Sequence, residues 1–282
     1  VAGVTVNRFC GSSMQAIHMA AGAINSGAGE AFLCGGVESM TRIPMGGFNP
    51  MPNPALVKSY PQAYIGMGET AENVGKKYGI TRVAQEEFAL KSHQKAAAAA
   101  AAGKFKDEIV AIGDVASDGC IRPETTMEAM ATLKPAFDTA GTVTAATSSP
   151  VTDGAAVTLV CSAEFAKKHG LKPMAKIRGM AVSGCAADIM GMGPVGASQK
   201  ALDRAGLKLS DMDIIELNEA FAAQSLGVIT EMKAPLEKIN LDGGAIALGH
   251  PLGASGARIT AKAASLLQRE KKKYALATMC IG

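Results

Sequence analysis

Residues 6–14 read Val-Asn-Arg-Phe-Cys-Gly-Ser-Ser-Met and place Cys10 between two different apolar patterns. Before this stretch, valines at positions 1, 4 and 6 alternate with smaller residues, as in a β-strand. After it, apolar residues fall three and four apart until Gly27, which is the spacing of a helix. The pattern therefore predicts a strand over 1–6 that turns into a helix at Cys10.

The position of Cys10 at the start of a helix suggests a reactive thiol. Unpaired backbone amides and the positive end of the helix dipole stabilise a thiolate, the form of cysteine that attacks carbonyl groups. Gly11 would let the backbone approach a substrate closely. The alternative is a buried cysteine that serves as a small apolar residue. The choice between the two depends on what surrounds Cys10.

The composition is that of a globular α/β enzyme. The chain has 282 residues, 48% of them hydrophobic and only 4% aromatic, and a net charge of +3 that does not indicate a nucleic-acid partner. No apolar run reaches the roughly 18 residues of a membrane span. Six scattered cysteines without Cys-x-x-Cys pairs favour a reducing, cytoplasmic location. No cluster of residues at metal-ligand spacing suggests a metal site.

Strands and helices alternate along most of the chain, which predicts a layered α/β fold with two loosely related halves. Prolines and paired glycines in 41–64 predict an irregular segment there. We expect further strands at 31–36, 155–161, 173–182, 213–217 and 274–279, and helices at 69–78, 81–103, 163–169, 198–205, 221–232 and 257–269.

Three further polar residues stand where a predicted strand ends or where glycines shape the backbone. Asn218 follows the strand 213–217, Cys280 ends the last strand, and His250 lies in a segment with five glycines between 243 and 256. The carboxyl ends of parallel strands share one edge of a sheet, where α/β proteins place their chemistry. Imidazole can take a proton from a thiol near neutral pH. These residues therefore predict a site shared with Cys10.

Residues 191–196 have the glycine spacing of a dinucleotide-binding turn. The residues before them do not read as a clean strand, and Pro194 lies inside the turn. Since that motif binds phosphate only between a strand and a helix, a nucleotide-dependent oxidoreductase is disfavoured.

Several motifs in the same order resemble those of the thiolases, most of all the degradative 3-ketoacyl-CoA thiolases. The resemblance runs over the whole chain. It is carried by N-R-F-C-G-S-S-M around Cys10, N-E-A-F at 218–221, G-G-A-I-A-L-G-H-P-L-G-A-S-G-A-R from 243 and C-I-G from 280, with support from T-A-E-N at 70–73, R-P-E-T-T at 122–126 and L-K-P-A-F-D at 133–138.

This resemblance implies catalytic roles, residue by residue. Cys10 would be the nucleophile that carries the acyl group, His250 would activate it, and Cys280 would be the acid/base at the acetyl α-carbon. Asn218 would hold a water that forms one oxyanion hole with His250. The backbone amides of Cys10 and Gly282 would form the second.

The same resemblance implies a site for coenzyme A, which would be a substrate, with no cofactor required. Arg122 and Ser149 would contact coenzyme A, and Met190 and Phe221 would line the acyl and pantetheine groups. Gly66 stands where biosynthetic relatives carry a histidine, which would leave room for longer acyl chains.

The fold implied is the thiolase fold, with two related α-β-α domains and an inserted loop domain. Residues 1–38 would be part of the N-terminal domain, completed by about 149–165. Residues 39–148 would be the loop domain that covers the coenzyme A site, and 166–282 the C-terminal domain. The family has further residues before the nucleophile, so we expect the N-terminal part to be missing here. We expect a homodimer or homotetramer.

The activity implied is thiolytic cleavage of 3-ketoacyl-CoA through an acyl-cysteine with ping-pong kinetics. Three alternatives remain: a biosynthetic acetoacetyl-CoA thiolase, a non-catalytic subunit or fragment with this fold, and a ketoacyl synthase. The last would carry a second histidine at the position of Asn218.

Overall fold

The computed structural model describes residues 2–282. Its strands are β1 (Ala31–Ser39), β2 (Asp153–Cys161), β3 (Ile214–Leu217) and β4 (Ala275–Thr278). Its α-helices are α1 (Ser12–Asn25), α2 (Pro54–Ser59), α3 (Met67–Tyr78), α4 (Arg82–Ala101), α5 (Met127–Ala131), α6 (Ala163–Lys168), α7 (Gly193–Ala205), α8 (Ala222–Met232), α9 (Ala245–Leu248) and α10 (Leu252–Arg269). None of the helices within 2–282 is long and apolar enough to cross a bilayer.

The strands form two separate pairs. β1 and β2 are antiparallel, with Ala31 opposite Cys161, and β3 and β4 are parallel, with Ile214 opposite Ala275. The parallel pair is buried, as parallel sheets usually are, whereas one face of the antiparallel pair is exposed.

Helix α10 packs against all four strands and thus connects the two sheets. It also contacts α1, where the backbone N–H of Ala257 donates to Ser13 Oγ at 2.9 Å. The helices approach closely here, because a Cβ at Gly256 would lie only 2.4 Å from the Met14 nitrogen. This contact brings the start of α1 and the start of α10 together.

The last residue of β3 forms hydrogen bonds with the side chain of Asn240, in the position where a neighbouring strand would otherwise pair. Asn240 Oδ1 accepts from the Leu217 N–H at 2.9 Å, and its Nδ2 donates to the Leu217 carbonyl at 2.8 Å. On the other side, the Asn218 N–H donates to the Thr278 carbonyl at 3.0 Å. The end of β3 is therefore fixed on both sides.

Two strand predictions are wrong. Residues 2–8 have no strand, since a strand needs a paired neighbour and none of the described residues supplies one; Val1 lies outside the described residues. Residues 173–182 also have no strand. Side chains there take the place of a ladder, because Arg204 donates to the Met180 carbonyl and Gln268 to the Met174 carbonyl, both at 2.6 Å.

The predicted irregular segment 41–64 contains more regular structure than expected. Helix α2 begins at Pro54, and a 3-10 helix covers Pro61–Tyr64. Proline is tolerated at the first helical position because its missing N–H would have no partner there. Asn53 caps α2 by accepting from the N–H groups of Ala55 and Leu56.

One buried carboxyl makes the stability of the fold depend on pH. Glu216, on β3, is 1% exposed, and its Oε1 has no partner among residues 2–282. Burial raises its pKa from 4.5 to about 8, although Arg258 and Lys262 act in the opposite direction and Glu219 and Asp242 add to the rise. The folded protein therefore favours the protonated form, and stability is lost as the pH rises from 4.5 through about 8.

We therefore predict that Glu216→Gln gains thermal stability relative to the wild type when the pH is raised from 5 to 8. The amide resembles the protonated carboxyl and cannot ionise. The measurement is the difference in Tm between variant and wild type at each pH, with Glu231→Gln on the exposed surface of α8 as the matched control. A difference that stays constant between the two pH values would contradict it.

Candidate active site

Cys10 lies in a 3-10 turn, Phe9–Gly11, that leads directly into α1. Ser12 stabilises this turn, since its Oγ accepts from the Arg8 N–H at 2.9 Å and donates to the Phe9 carbonyl at 2.7 Å. Phe9 adopts a φ of +46°, which is strained for a residue with a Cβ. The turn directs Cys10 inward, and the residue is only 2% exposed.

The Cys10 thiol is neutral at pH 7. Burial raises its pKa to about 11, and Glu38 adds slightly to the rise. The N–H groups of Gly282 and of Cys10 itself hydrogen-bond to the sulfur and lower the pKa, but burial outweighs them. The amides expected at the helix start are therefore present, but burial acts against the thiolate that they would stabilise.

Cys280 lies beside Cys10. It is 1% exposed, and burial raises its pKa far above the ordinary range, with the nearby Cys10 as the next contribution. Its side chain packs against Met190 and Ala220. A Cβ at Gly282 would lie 2.9 Å from Met67 Sδ, so this position has little room for a side chain. The structure thus brings Cys10, Cys280 and the Gly282 amide together.

Asn218 and His250 form a buried pair. Asn218 Nδ2 and His250 Nε2 are 3.3 Å apart, and the two residues are 1% and 3% exposed. Burial lowers the pKa of His250 to about 3, and Arg258 acts in the same direction, so the imidazole is neutral. Asn218 Oδ1 has no hydrogen-bond partner within the described chain. A neutral imidazole can accept a proton at one nitrogen.

Glu219 links the segments that carry Asn218 and His250. No role was predicted for it from the sequence. Its carboxylate accepts from Ser92 Oγ at 2.6 Å, Asn240 Nδ2 at 2.7 Å and the Ile246 N–H at 3.2 Å. A Cβ at Gly244 would lie 2.1 Å from the carboxyl carbon, which explains the glycine. The only sequence signal was the position of Glu219 within N-E-A-F.

An apolar wall lies beside Cys280. It contains two residues predicted to line the substrate and a third residue that was not predicted. Met190 and Phe221 pack in the same cluster as Cys280, and Met67 joins them. Ser149 lies next to this wall, since its N–H donates to the Ala220 carbonyl at 3.0 Å. The signal for Met67 was its place after Gly66.

Two residues that were predicted to contact the substrate are exposed on the surface of the protein. Arg122 is exposed, and its N–H donates to His93 Nδ1 at 3.2 Å. Within 2–282 no hydrogen bond or ion pair joins its side chain to the four candidate catalytic side chains. Gly66 is exposed at the start of α3, where an added Cβ would meet nothing within 4 Å.

The glycine-rich stretch 191–196 serves packing. A 3-10 helix, Ala187–Met192, precedes α7 where a nucleotide-binding turn would have a strand. A Cβ at Gly191 would lie 2.6 Å from Gln224 Cγ. Among residues 2–282 no three His, Cys, Asp or Glu side chains are grouped as metal ligands.

Two family models match this chain. The first, described as the thiolase N-terminal domain, matches residues 1–164, and the second, the thiolase C-terminal domain, matches residues 171–282. The chain belongs to the thiolase family. The predicted family and the thiolase fold are confirmed, whereas the roles of individual residues stay predictions.

Similar proteins include 3-ketoacyl-CoA thiolases of several organisms. That of Idiomarina loihiensis is 53% identical over 295 residues, covering 100% of this chain and 76% of that protein. That of Shewanella loihica is 54% identical over 292 residues, covering 99% and 75%. The human mitochondrial 3-ketoacyl-CoA thiolase in complex with CoA matches with a TM-score of 0.89 and 42% identity, covering 99% of this chain and 74% of that one.

The neutral state of Cys10 has a measurable consequence. Because its pKa is about 11, the thiolate fraction should rise about tenfold per pH unit between pH 6 and 9. We predict that alkylation of Cys10 by iodoacetamide accelerates throughout this range, as followed by peptide mass spectrometry, with free glutathione as the reference thiol. A plateau below pH 9 would indicate a thiolate stabilised by the helix start and would contradict the role of burial.

Proposed function

We propose that this thiolase cleaves 3-ketoacyl-CoA with coenzyme A, giving acetyl-CoA and an acyl-CoA shortened by two carbons, as in fatty acid β-oxidation. The observation that carries the proposal is the pair of adjacent buried thiols, Cys10 and Cys280, with a neutral histidine held near the same end of β3 and β4. The names and identities of the relatives support the same substrate class.

In the first step, His250 takes the Cys10 proton as the sulfur attacks the keto carbon, C3. The resulting oxyanion is bonded to the carbon that carries the sulfur. The N–H groups of Cys10 and Gly282, which already point at the sulfur, are the donors nearest to it. Fixed donors in a site without water stabilise such a charge strongly.

In the second step, the C2–C3 bond breaks and its electrons pass to the acetyl-CoA enolate. Asn218, through a bound water, and the protonated His250 stabilise the enolate oxygen. The Cys280 thiol donates its proton to C2, and acetyl-CoA leaves. The raised pKa of Cys280 keeps that proton available at neutral pH.

In the second half-reaction, coenzyme A removes the acyl group from Cys10. The Cys280 thiolate takes the proton of the coenzyme A thiol, whose sulfur then attacks the acyl-cysteine. The Cys10 sulfur leaves and regains its proton from His250. Both cysteines and the histidine return to their starting state, which gives ping-pong kinetics.

The proposal includes a coenzyme A site beneath residues 39–148, the proposed loop domain. Ser149, Met190 and Phe221 would contact the pantetheine and acyl groups, since they lie along the wall beside Cys280. Arg122 would reach the phosphates, because its guanidinium is exposed and carries a fixed positive charge.

We also propose a homodimer or homotetramer in the cytoplasm. The outer face of the β1–β2 pair exposes Leu33, Val37 and Val157 by 78%, 72% and 66%, a patch of the kind that partner surfaces cover. The cysteines of the described chain are free thiols, as in a reducing compartment.

The proposal predicts an acyl adduct on Cys10. After incubation with an acyl-CoA, intact-mass measurement should show one added acyl group, and Cys10→Ala should lose both this adduct and turnover. Cys280→Ala should still acquire the adduct but fail to cleave 3-ketoacyl-CoA, because only that step must protonate a carbanion.

Cys161→Ala, at the end of β2 opposite Ala31, is the matched control and should keep both activities. An adduct on a different cysteine, or equal loss of both reactions in Cys280→Ala, would contradict the proposed roles. No adduct at all would favour a non-catalytic subunit.

Gly66 provides a test of which acyl chain lengths the enzyme prefers. Its φ of −65° and free surroundings allow a side chain, so Gly66→His should fold. We predict that the wild type prefers medium or longer acyl chains and that this variant shifts the preference towards the four-carbon substrate. Each buried methylene contributes about 0.8 kcal/mol, or about fourfold in kcat/KM. A wild type with a sharp four-carbon preference would instead indicate the biosynthetic reaction.

A further inference from the structure

We propose that Ser255 is a positioning residue that keeps His250 in the tautomer with the proton on Nδ1, so that Nε2 carries the lone pair that acts as the base. The inference rests on the proposed function, in which His250 accepts the Cys10 proton. It extends that function by assigning a residue that touches neither substrate nor sulfur.

The hydroxyl of Ser255 has only one proton, and its surroundings determine where that proton points. Ser255 lies in the first turn of α10 and is 0% exposed. Its Oγ donates to the Pro251 carbonyl, four residues earlier, at 3.0 Å. The same Oγ lies 2.5 Å from His250 Nδ1. We assign this proton to the Pro251 carbonyl, so that Oγ accepts from Nδ1, which then carries the ring proton.

The opposite side of the ring agrees with this assignment. Asn218 presents its Nδ2, a donor, to His250 Nε2 at 3.3 Å. A donor facing Nε2 requires a lone pair on that nitrogen. In the other tautomer, Asn218 would have to rotate its amide and present Oδ1, which has no partner in the described chain. With the amide in this orientation and the Ser255 proton on Pro251, the contacts on both sides agree with a lone pair on Nε2.

The backbone of the histidine is fixed independently of Ser255. The His250 N–H donates to Thr152 Oγ1 at 3.2 Å, and this hydroxyl donates to the Pro150 carbonyl at 2.6 Å. Loss of the Ser255 hydroxyl would therefore leave the chain in place and act on the ring proton. At 3% exposure, bulk water does not readily replace the lost acceptor at Nδ1.

The tautomer determines whether His250 can act as a base. With the proton on Nδ1, Nε2 can accept the Cys10 proton, and Ser255 Oγ continues to accept from Nδ1 in the imidazolium. With the proton on Nε2, no lone pair faces the Asn218 side of the site. Without Ser255, an unpaired buried N–H at Nδ1 is unfavourable, so the ring proton should move to Nε2, where a rotated Asn218 amide can accept it.

The experiment compares Ser255→Ala with Thr260→Val. Thr260 lies on the same helix and makes the same kind of bond, from Oγ1 to the Gly256 carbonyl four residues earlier at 2.7 Å. It therefore controls for the loss of a hydroxyl from α10. Both variants and the wild type are labelled with ¹⁵N-histidine, and long-range ¹H–¹⁵N correlation reports the tautomer of each of the four histidines. His250→Asn identifies the signal of His250.

We expect the Nδ1–H tautomer in the wild type and in Thr260→Val, and the Nε2–H tautomer in Ser255→Ala. The rate of acyl transfer to Cys10 from an acyl-CoA, followed by intact mass, should fall about 10- to 100-fold in Ser255→Ala only. An Nε2–H tautomer in the wild type overturns the inference, even if Ser255→Ala does not fold. So does an unchanged tautomer or acylation rate in Ser255→Ala. The tautomer is measured without substrate, so failure of the proposed function would instead appear as a wild type with the expected tautomer and no acyl adduct.

Discussion

The contact of helix α10 with both sheets is the constraint on which the site depends. The helix starts two residues after His250, and its early turns touch the start of α1, where the Ala257 N–H meets Ser13. Cys10 lies just before α1, so the same contact positions both Cys10 and His250. The glycines at this crossing are explained by the distance between the two backbones, which leaves no space for a Cβ at Gly256.

Burial is the largest influence on the pKa values of the three titratable groups in the candidate site. Cys10 and Cys280 have raised pKa values and His250 a lowered one, in each case chiefly because water is excluded. All three groups are therefore neutral before substrate arrives. In the proposed mechanism, the proton of Cys10 moves as the sulfur attacks, and the orientation and tautomer of His250 then belong to the reaction.

The sequence predicts where the candidate catalytic residues lie in the fold but not which residues surround them. Asn218 and Cys280 could be placed because they follow strands, and parallel strands end at one edge. The contacts of Glu219 and Ser255 could not, because Ser92 and Asn240 come from distant parts of the chain, and the Ser255 bond depends on the turn at Pro251. The strand predicted at 173–182 is absent, and here too the contacts come from distant parts of the chain. Side chains of α7 and α10 bind two backbone carbonyls of this segment, which strand pairing would otherwise use.

In the proposed mechanism, the raised pKa of Cys280 bears on both half-reactions. The thiol is still protonated when the enolate forms, and the enolate is the stronger base. Once that proton is given up, the same environment makes the thiolate a stronger base than an exposed cysteine, which favours removal of the proton from the coenzyme A thiol. Exclusion of water raises the pKa of Cys280, which weakens the thiol as an acid and strengthens the thiolate as a base. A carbanion at C2 is basic enough to take the proton all the same, so in the proposed mechanism one buried residue serves as acid in cleavage and as base in thiolysis.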